Sequence, residues 1–553
     1  MVMDTGTDMT KNKPNRLANL QLLAGTCLCA YSIAALSQQA ITGSAISSNP
    51  STTVTPSPQN LDTDKPEIEP KRAFTIIPRV KLTETWSDNV DIGRTQNNKQ
   101  SGLITELAPG IHVDARTARL RAYFDYALIG QYYTQPSGYS RTQNALNTFG
   151  TLEAVTNWLF LDFSGVIAQQ AISAFGTQTP NSSYQNNNST ETATYRLSPY
   201  IRGQLPIGVN YNLRYNRSTT QASAASVSDI DLSEWSGQLS GSTAFQSLKW
   251  AIDGSQQNAD YSLGRKTDAQ RINATATYTI VPQFRISASG GQESNNYASA
   301  DQLTHNTYGA GFDWTPTERT QFSVFKDRRF FGDGHRINIS HRFPLSSISY
   351  SDTRDVSVLP NQFTSVGLGT FFDLFKQLCT QIPDSPYPDP DTCAIQELAK
   401  LGYAPNTQFV SSFLNSRATV QRRQQLALAM QGARNTLTLM LTRNDSETIM
   451  ASQAVNDDFA LNNVTSIKQR GLSANLSHKL SAVSSLNFLV SRQESTGTGV
   501  SVLKTTSTLY QLNLISKLSA KTTGTVGARR TEFDSTSNPY TENALIGSIS
   551  VIF

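Results

Sequence analysis

Polar and apolar residues alternate with a period of two from about Phe74 onward, and the last stretch of that alternation runs to the final residue. In the terminal "ENALIGSISVIF", Leu545, Ile549, Val551 and Phe553 fall on one side, and Ser548 and Ser550 on the other. A strand sends successive side chains to opposite faces, so this ending is a two-faced ribbon. In "LRAYFDYALIGQYY", Leu120, Ala122, Phe124, Tyr126, Leu128 and Tyr132 oppose Arg121, Asp125 and Gln131. In "PIGVNYNLRYN", Ile207, Val209, Tyr211, Leu213 and Tyr215 oppose Asn210, Asn212, Arg214 and Asn216. Similar ribbons recur around 272–280, 437–441, 472–480 and 510–518. Their length, about ten residues or more, exceeds that of ordinary strands in soluble sheets.

The connections are unequal. Tight turns such as "VTNW", "IVPQF", "TPTERT" and "LSAVSS" alternate with longer Ser/Asn/Gln-rich loops such as "SAFGTQTPNSSYQNNNST". Short turns at one end and long loops at the other are the plan of an outer-membrane barrel. The expected fold is therefore all-β: a transmembrane, antiparallel, up-and-down β-barrel of about 22 strands (range 16–22). A soluble sandwich also alternates, but with shorter strands and without the turn asymmetry. Trp158, Trp250 and Phe284 follow short turns, Trp314 and Phe343 precede them, and all share the apolar parity with Phe553. Amphipathic rings prefer a membrane interface, so these six are expected in one girdle on the short-turn side.

Composition agrees. The chain is only 16% charged and 38% hydrophobic, polar through Asn, Gln, Ser and Thr, with a net charge of +4. No basic cluster points to nucleic acid. Lys11, Lys13 and Arg16 precede the apolar "LANLQLLAGTCLCAYSIAAL", which reads as a signal peptide over 1–37, with cleavage after Ser37 or as late as Ala45. A single membrane anchor is the alternative reading of that stretch. Residues 38–72 are a Ser/Thr/Pro-rich periplasmic linker, and 73–553 the barrel. Cys379 and Cys393 lie in an insertion at 354–415, with helical spacing on both sides of a proline-rich turn. In an exported chain the simplest reading of this pair is a disulfide stapling a helical hairpin. A barrel this wide leaks unless something fills it. The insertion is expected either to fold inward over the lumen or to stand outside as a surface loop.

Chemistry is sparse. His112, His305, His335, His341 and His478 stand in no catalytic or metal-ligand spacing, so no enzyme, metal or cofactor is expected. A hydrolase remains the least favoured reading, with His335 and His305 the residues to test. The polar parity carries Arg121, Arg214, Arg271, Arg285, Arg336, Arg342, Arg423 and Arg529 among amides and hydroxyls, with Asp125, Asp162, Asp253 and Asp313 available to pair with some. Charge lining a pore sets its selectivity, so these arginines are the candidate lumen lining.

The opening "FTIIPRVKLTETWSDNV", with Glu84, Thr85, Asp88 and Asn89, followed by Pro109, Gly110 and Ile111, resembles the PEP-CTERM system-associated outer-membrane β-barrel proteins. The resemblance is sharpest over the first 60 or so barrel residues and implies a Gram-negative outer membrane and a link to exopolysaccharide production and export. It brings no catalytic residues. Asp88 and Asn89 suit a turn at the long-loop rim, with a calcium or sugar contact as the functional alternative. The function expected is a channel or passage component for an exported polysaccharide; the alternative is a non-conducting barrel that anchors an envelope or secretion complex. Expected partners are outer-membrane lipid, the barrel-assembly machinery at the C-terminal strand, and polysaccharide with its export proteins. Energy-coupled uptake receptors carry a plug domain ahead of the barrel, and the short linker before Phe74 disfavours that class.

Overall fold

The computed structural model describes residues 73–92, 99–134, 140–184, 186–358, 394, 413–449, 457–461, 464–499, 502–536 and 538–553. The expected signal peptide and linker, Cys379 with Cys393, and the body of the 354–415 insertion lie outside the described residues.

The alternating segments form 22 strands in one sheet, from β1 (Phe74–Ser87) to β22 (Tyr540–Ile552). Each pairs antiparallel with its neighbours in sequence, and β1 pairs with β22 from Arg79↔Ile552 to Ser87↔Ala544. Full closure leaves no unpaired edge, and in hydrocarbon every backbone polar group must be paired internally. A short helix, α1 (Asp458–Leu461), sits between β17 (Asn435–Thr448) and β18 (Val464–Lys479).

Parity decides what faces what. On β10 (Thr267–Val281), Ile272, Tyr278 and Ile280 stand exposed outward, while Arg271 reaches inward to Asp327. Leu213, Leu239, Ile252, Leu441, Leu472, Leu512 and Leu545 are likewise exposed on the outer face. A soluble protein does not present such a continuous apolar belt to water. With the closed antiparallel wall, it defines a transmembrane barrel of the Gram-negative outer membrane.

One end has turns of two to five residues throughout, from 117–119 to 518–521. The other end is uneven. It holds the long segments 88–101, 172–188, 358–418 and 449–463, but Phe330 and Phe331 alone join β13 (Thr320–Arg329) to β14 (Gly332–Arg342). Gly332 makes that tight reversal possible with φ 101, a region closed to most side chains.

Candidate functional site

The sites of interest lie on the inward parity and in the segments that fold into the outer mouth. Arg214 on β7 (Asn210–Ala222) donates to Asp162 at 2.8 Å and lies over the Tyr200 ring at 4.0 Å. Arg271 and Arg285 face Asp327 and Asp313 at 3.4 and 3.8 Å. Asp253 accepts from Gln238 and Arg423 donates to Gln421. Arg342 donates to the Glu318 carbonyl near the short-turn end, whereas Arg121 and Arg336 are exposed in the lumen. Arg79 donates to Asp125 at 2.6 Å. It reaches β3 (Leu120–Tyr133) across Gly110, where a Cβ would stand 3.2 Å from the Arg79 Nε and 2.7 Å from the Tyr126 carbonyl. Glycine there leaves the corridor this ion pair needs.

Sequence reasoning placed the aromatics outside, yet several share the arginines' parity. Tyr123 stacks on Phe149 at 5.0 Å, Phe160 on Tyr200 at 5.1 Å, and His112 meets Tyr123 edge-on. Arg202 covers the Phe160 ring at 4.3 Å. Four consecutive strands, β3 to β6 (Ser189–Gln204), thus carry a run of stacked rings on the inward parity, but Tyr123, Phe160 and Tyr200 are buried beneath Arg202, Arg214 and their neighbours, and it is these arginines with Asp162 and Asp125 that face the lumen. Reading the polar parity for rings as well as for charges would have found it.

The 172–188 segment does not stand outside as a long loop. It ties itself together through Asn side chains, with Asn188 accepting from the Ser173 N–H at 2.8 Å and Asn186 donating to the Thr177 carbonyl at 2.7 Å. It then crosses the mouth. On the near wall, Tyr133 and Arg141 donate to the Ser183 and Ser182 carbonyls. Toward the seam, three strands from β3, Tyr184 donates to Glu542 on β22 at 2.6 Å and accepts from Arg529 at 2.7 Å. Arg529 also donates to Glu542 at 2.9 Å, and Ser87 adds a hydroxyl at 3.2 Å. Arg529 and Glu542 are 4% and 0% exposed, so Arg529 is a latch rather than a water-facing pore charge. Phe175 packs with Phe413, Phe459, Val464 and Ile467, while Ser173 and the Ala174 N–H donate to Asp458 on α1.

The two ends of the insertion also turn inward. Val358 accepts from Tyr261 and is buried with Ile230, Leu232 and Tyr297. Phe413 bridges Ala171 at the end of β5 (Leu159–Ala171), and Arg417 makes a buried bidentate pair with Asp457 at 2.6 and 2.7 Å. Ten strands separate β5 from β16 (Thr419–Gln431) in either direction round the ring. The chain nevertheless passes from Phe413 to Thr419 in six residues, a reach of at most about 22 Å. Adding one strand spacing puts the two walls within about 27 Å of each other. A round ring of 22 strands would be about 40 Å across at ordinary tilt. The mouth is therefore oval, and the inward face of β15 (Ser346–Ser357) to β19 (Ser484–Gly499) is buried along its length: Gln421 and Ser446 near the mouth are 5% and 1% exposed, and Ser347, Thr438 and Asn475 near the short turns 0%.

The girdle residues Trp158, Trp314, Phe343 and Phe553 are exposed at the short-turn end, 43–65%; Trp250 and Phe284 lie beside them, half-buried. Phe284 faces Trp314 across the ladder. A second set at the outer end, Trp86, Tyr132, Trp235 and Tyr308, escaped the sequence reading. Asp88 and Asn89 form the closing seam: Asp88 accepts from the Asn543 N–H and amide at 2.7 and 2.8 Å, and Asn89 donates to the Thr541 carbonyl. A rim pocket of about 290 Å³ opens beside them, lined by Asp91, Lys99, Asp534 and Tyr540 among others.

His335 pairs with Asp352 at 2.8 Å on the outward parity, whereas His305 lies near Phe330 on the inward one. The wall separates them, and they share no site. Among the described residues no group of His, Cys, Asp and Glu is arranged to hold a metal.

Latch, arginine layer and belt together define an outer-membrane barrel with an obstructed mouth. No protein-family model matches the chain, and no curated protein matches it. Among solved structures it is similar to the siderophore receptor PirA from Acinetobacter baumannii (8% identity, 86% of this chain and 80% of that one, TM-score 0.43). It is also similar to the FrpB iron transporter from Neisseria meningitidis (9%, 86% and 81%, 0.45) and to BauA, the ferric preacinetobactin receptor of Acinetobacter baumannii (10%, 86% and 80%, 0.41). Those proteins are receptors and a transporter, not enzymes; likenesses this distant say nothing of what passes through this barrel.

Proposed function

We propose that this barrel is a gated passage for an exported polar polymer, an exopolysaccharide, as its resemblance to the PEP-CTERM-associated barrels implies. The observation that carries the reading is the inward layer of Arg202 and Arg214 over the stacked Phe160 and Tyr200 rings, with Asp162 and Asp125 beside it. Guanidinium and carboxylate groups hydrogen-bond sugar hydroxyls, and the buried rings hold the arginines in place, so this layer suits a sliding saccharide. The 172–188 segment, latched on Arg529 and Glu542, would keep the passage shut at rest.

Two measurements test this. Refolded protein in planar bilayers should show small or rare steps, and a variant lacking 176–187 large ones that neutral oligosaccharides block. Arg202→Gln with Arg214→Gln should weaken that block about tenfold, taking roughly 1.5 kcal/mol for lost charged hydrogen bonds. In the producing cell, loss of the protein should leave polymer in the periplasm. If the loop-deleted barrel conducts nothing, the anchoring reading replaces this one. The buried inward face of β15 to β19 is the observation in favour of that second reading.

A further inference from the structure

The outer face of the barrel is not uniform around its circumference. On β14 to β19 the outward parity carries apolar residues up to mid-wall: Ile339, Tyr350, Leu428, Leu441, Leu472 and Phe488. Farther up the same faces stand Arg354, Arg422, Arg443, Lys468, Arg470 and Arg492, and the series extends to Lys326 on β13 and Arg530 on β21 (Thr522–Ser535). The sheet's register sets Arg354 directly opposite Arg422, and Arg443 directly opposite Arg470. Like charges so opposed repel across a ladder.

Carboxylates relieve only part of this. Asp352 holds Arg422 at 2.7 Å, Asp445 holds Arg443 at 2.8 Å, Glu447 lies 3.8 Å from Arg354, and Lys326 and Arg530 pair with Asp333 and Glu532 at 3.0 and 2.7 Å. Glu494 stands opposite Arg470 in the register but pairs with Lys504 at 3.2 Å. Lys468, Arg470 and Arg492 make no ion pair with any described residue, and both arginines are exposed. The other half of the barrel differs. There the outward parity of β6 to β10 carries Glu191, Asp231, Asp260 and Asp268 against Arg217 and, just ahead of β10, Lys266, which pairs with Asp260 at 2.7 Å; below these acids Trp235 belongs to the aromatic girdle. Solubility alone would not divide the charge so unequally between the two sides.

These cations sit one ladder rung beyond leucines that face hydrocarbon, at the long-loop end. That is the level of outer-leaflet head groups, where arginine and lysine keep their stems on apolar surface and their charge in the polar layer. Guanidinium groups match phosphate with paired hydrogen bonds. We propose that the outward face of β13 to β21 is a docking surface for a phosphorylated glycolipid of the outer leaflet, with Lys468, Arg470 and Arg492 at its centre. A phosphate set among these three supplies the anion that they lack. The proposal is independent of what passes through the lumen.

The test uses the full mature chain in detergent and native mass spectrometry, with bisphosphorylated lipid A as the probe and phosphatidylcholine as the comparison lipid. Wild type should retain lipid A at least tenfold better than phosphatidylcholine. The triple variant Lys468→Gln, Arg470→Gln, Arg492→Gln should lose that preference while keeping the heat-modifiable gel mobility of a folded barrel. Should the triple variant not fold, Arg470→Gln and Arg492→Gln singly should each lower retention several-fold. Equal retention of the two lipids by wild type, or undiminished lipid A on the folded variants, overturns the proposal. So does displacement by equimolar inorganic phosphate, which would make this a phosphate site and not a lipid surface.

Discussion

Glu542 is the residue on which the closed mouth turns. Its carboxylate takes hydrogen bonds from Arg529, Tyr184 and Ser87 with no exposure to water. Removing one member of a buried pair strands the other charge, at about 3–5 kcal/mol. Glu542→Ala should therefore lower the urea midpoint of the detergent-folded barrel and release Tyr184, raising conductance; a closed, unchanged barrel would contradict the latch. Asp458 gives a pH dependence. Burial pushes its carboxyl from an ordinary 3.8 up to about 6, although Ser173 and the Ala174 N–H pull the other way. The native state then binds more protons than the unfolded one between those values. The hold on the 172–188 segment should be strongest below pH 4, weaken as pH rises toward 6 and stay weak above it. Openings counted from pH 4 to 7 should increase in wild type and stay level in Asp458→Asn; a flat wild-type record would rule this out.

At the scale of elements, the strands were legible and the segments between them were not. Period-two patterning is a local property of extended chain, so Leu213 against Arg214, or Ile272 against Arg271, announces both strand and face. The same parity placed Arg271 and Arg285 opposite acids on other strands. The 172–188 segment has composition without pattern. Its asparagines bond to one another and to its own backbone, an arrangement equally compatible with standing out or folding in. If the arginine layer matters, Phe160→Ala should weaken oligosaccharide block about as much as Tyr200→Ala, since the stacked pair seats Arg202 and Arg214. The comparison is read from blocking events in the loop-deleted barrel.

For the whole molecule the oval mouth is the feature to measure. Spin labels on Gln169 of β5 and Gln424 of β16 both point outward, so their separation reports the wall-to-wall distance plus two label arms. It should come out roughly 15 Å shorter than for a round ring of this strand number; a distance matching the round ring would remove the constriction.

The sequence by itself determined that the chain is a closed barrel of about 16 to 22 strands, which parity of each strand meets lipid and which end carries the short turns. Each of these follows from alternation and turn length, which are local. The count of 22 came from the structure. Only the tertiary structure decided what occupies the mouth. Tyr184 and Glu542 are 358 residues apart in the chain, and Phe413 meets Ala171 from the opposite side of the ring. Nothing in a loop's composition encodes a partner at that distance. The partner exists only once closure has set the inward faces of β5, β16, β21 and β22 around a common space.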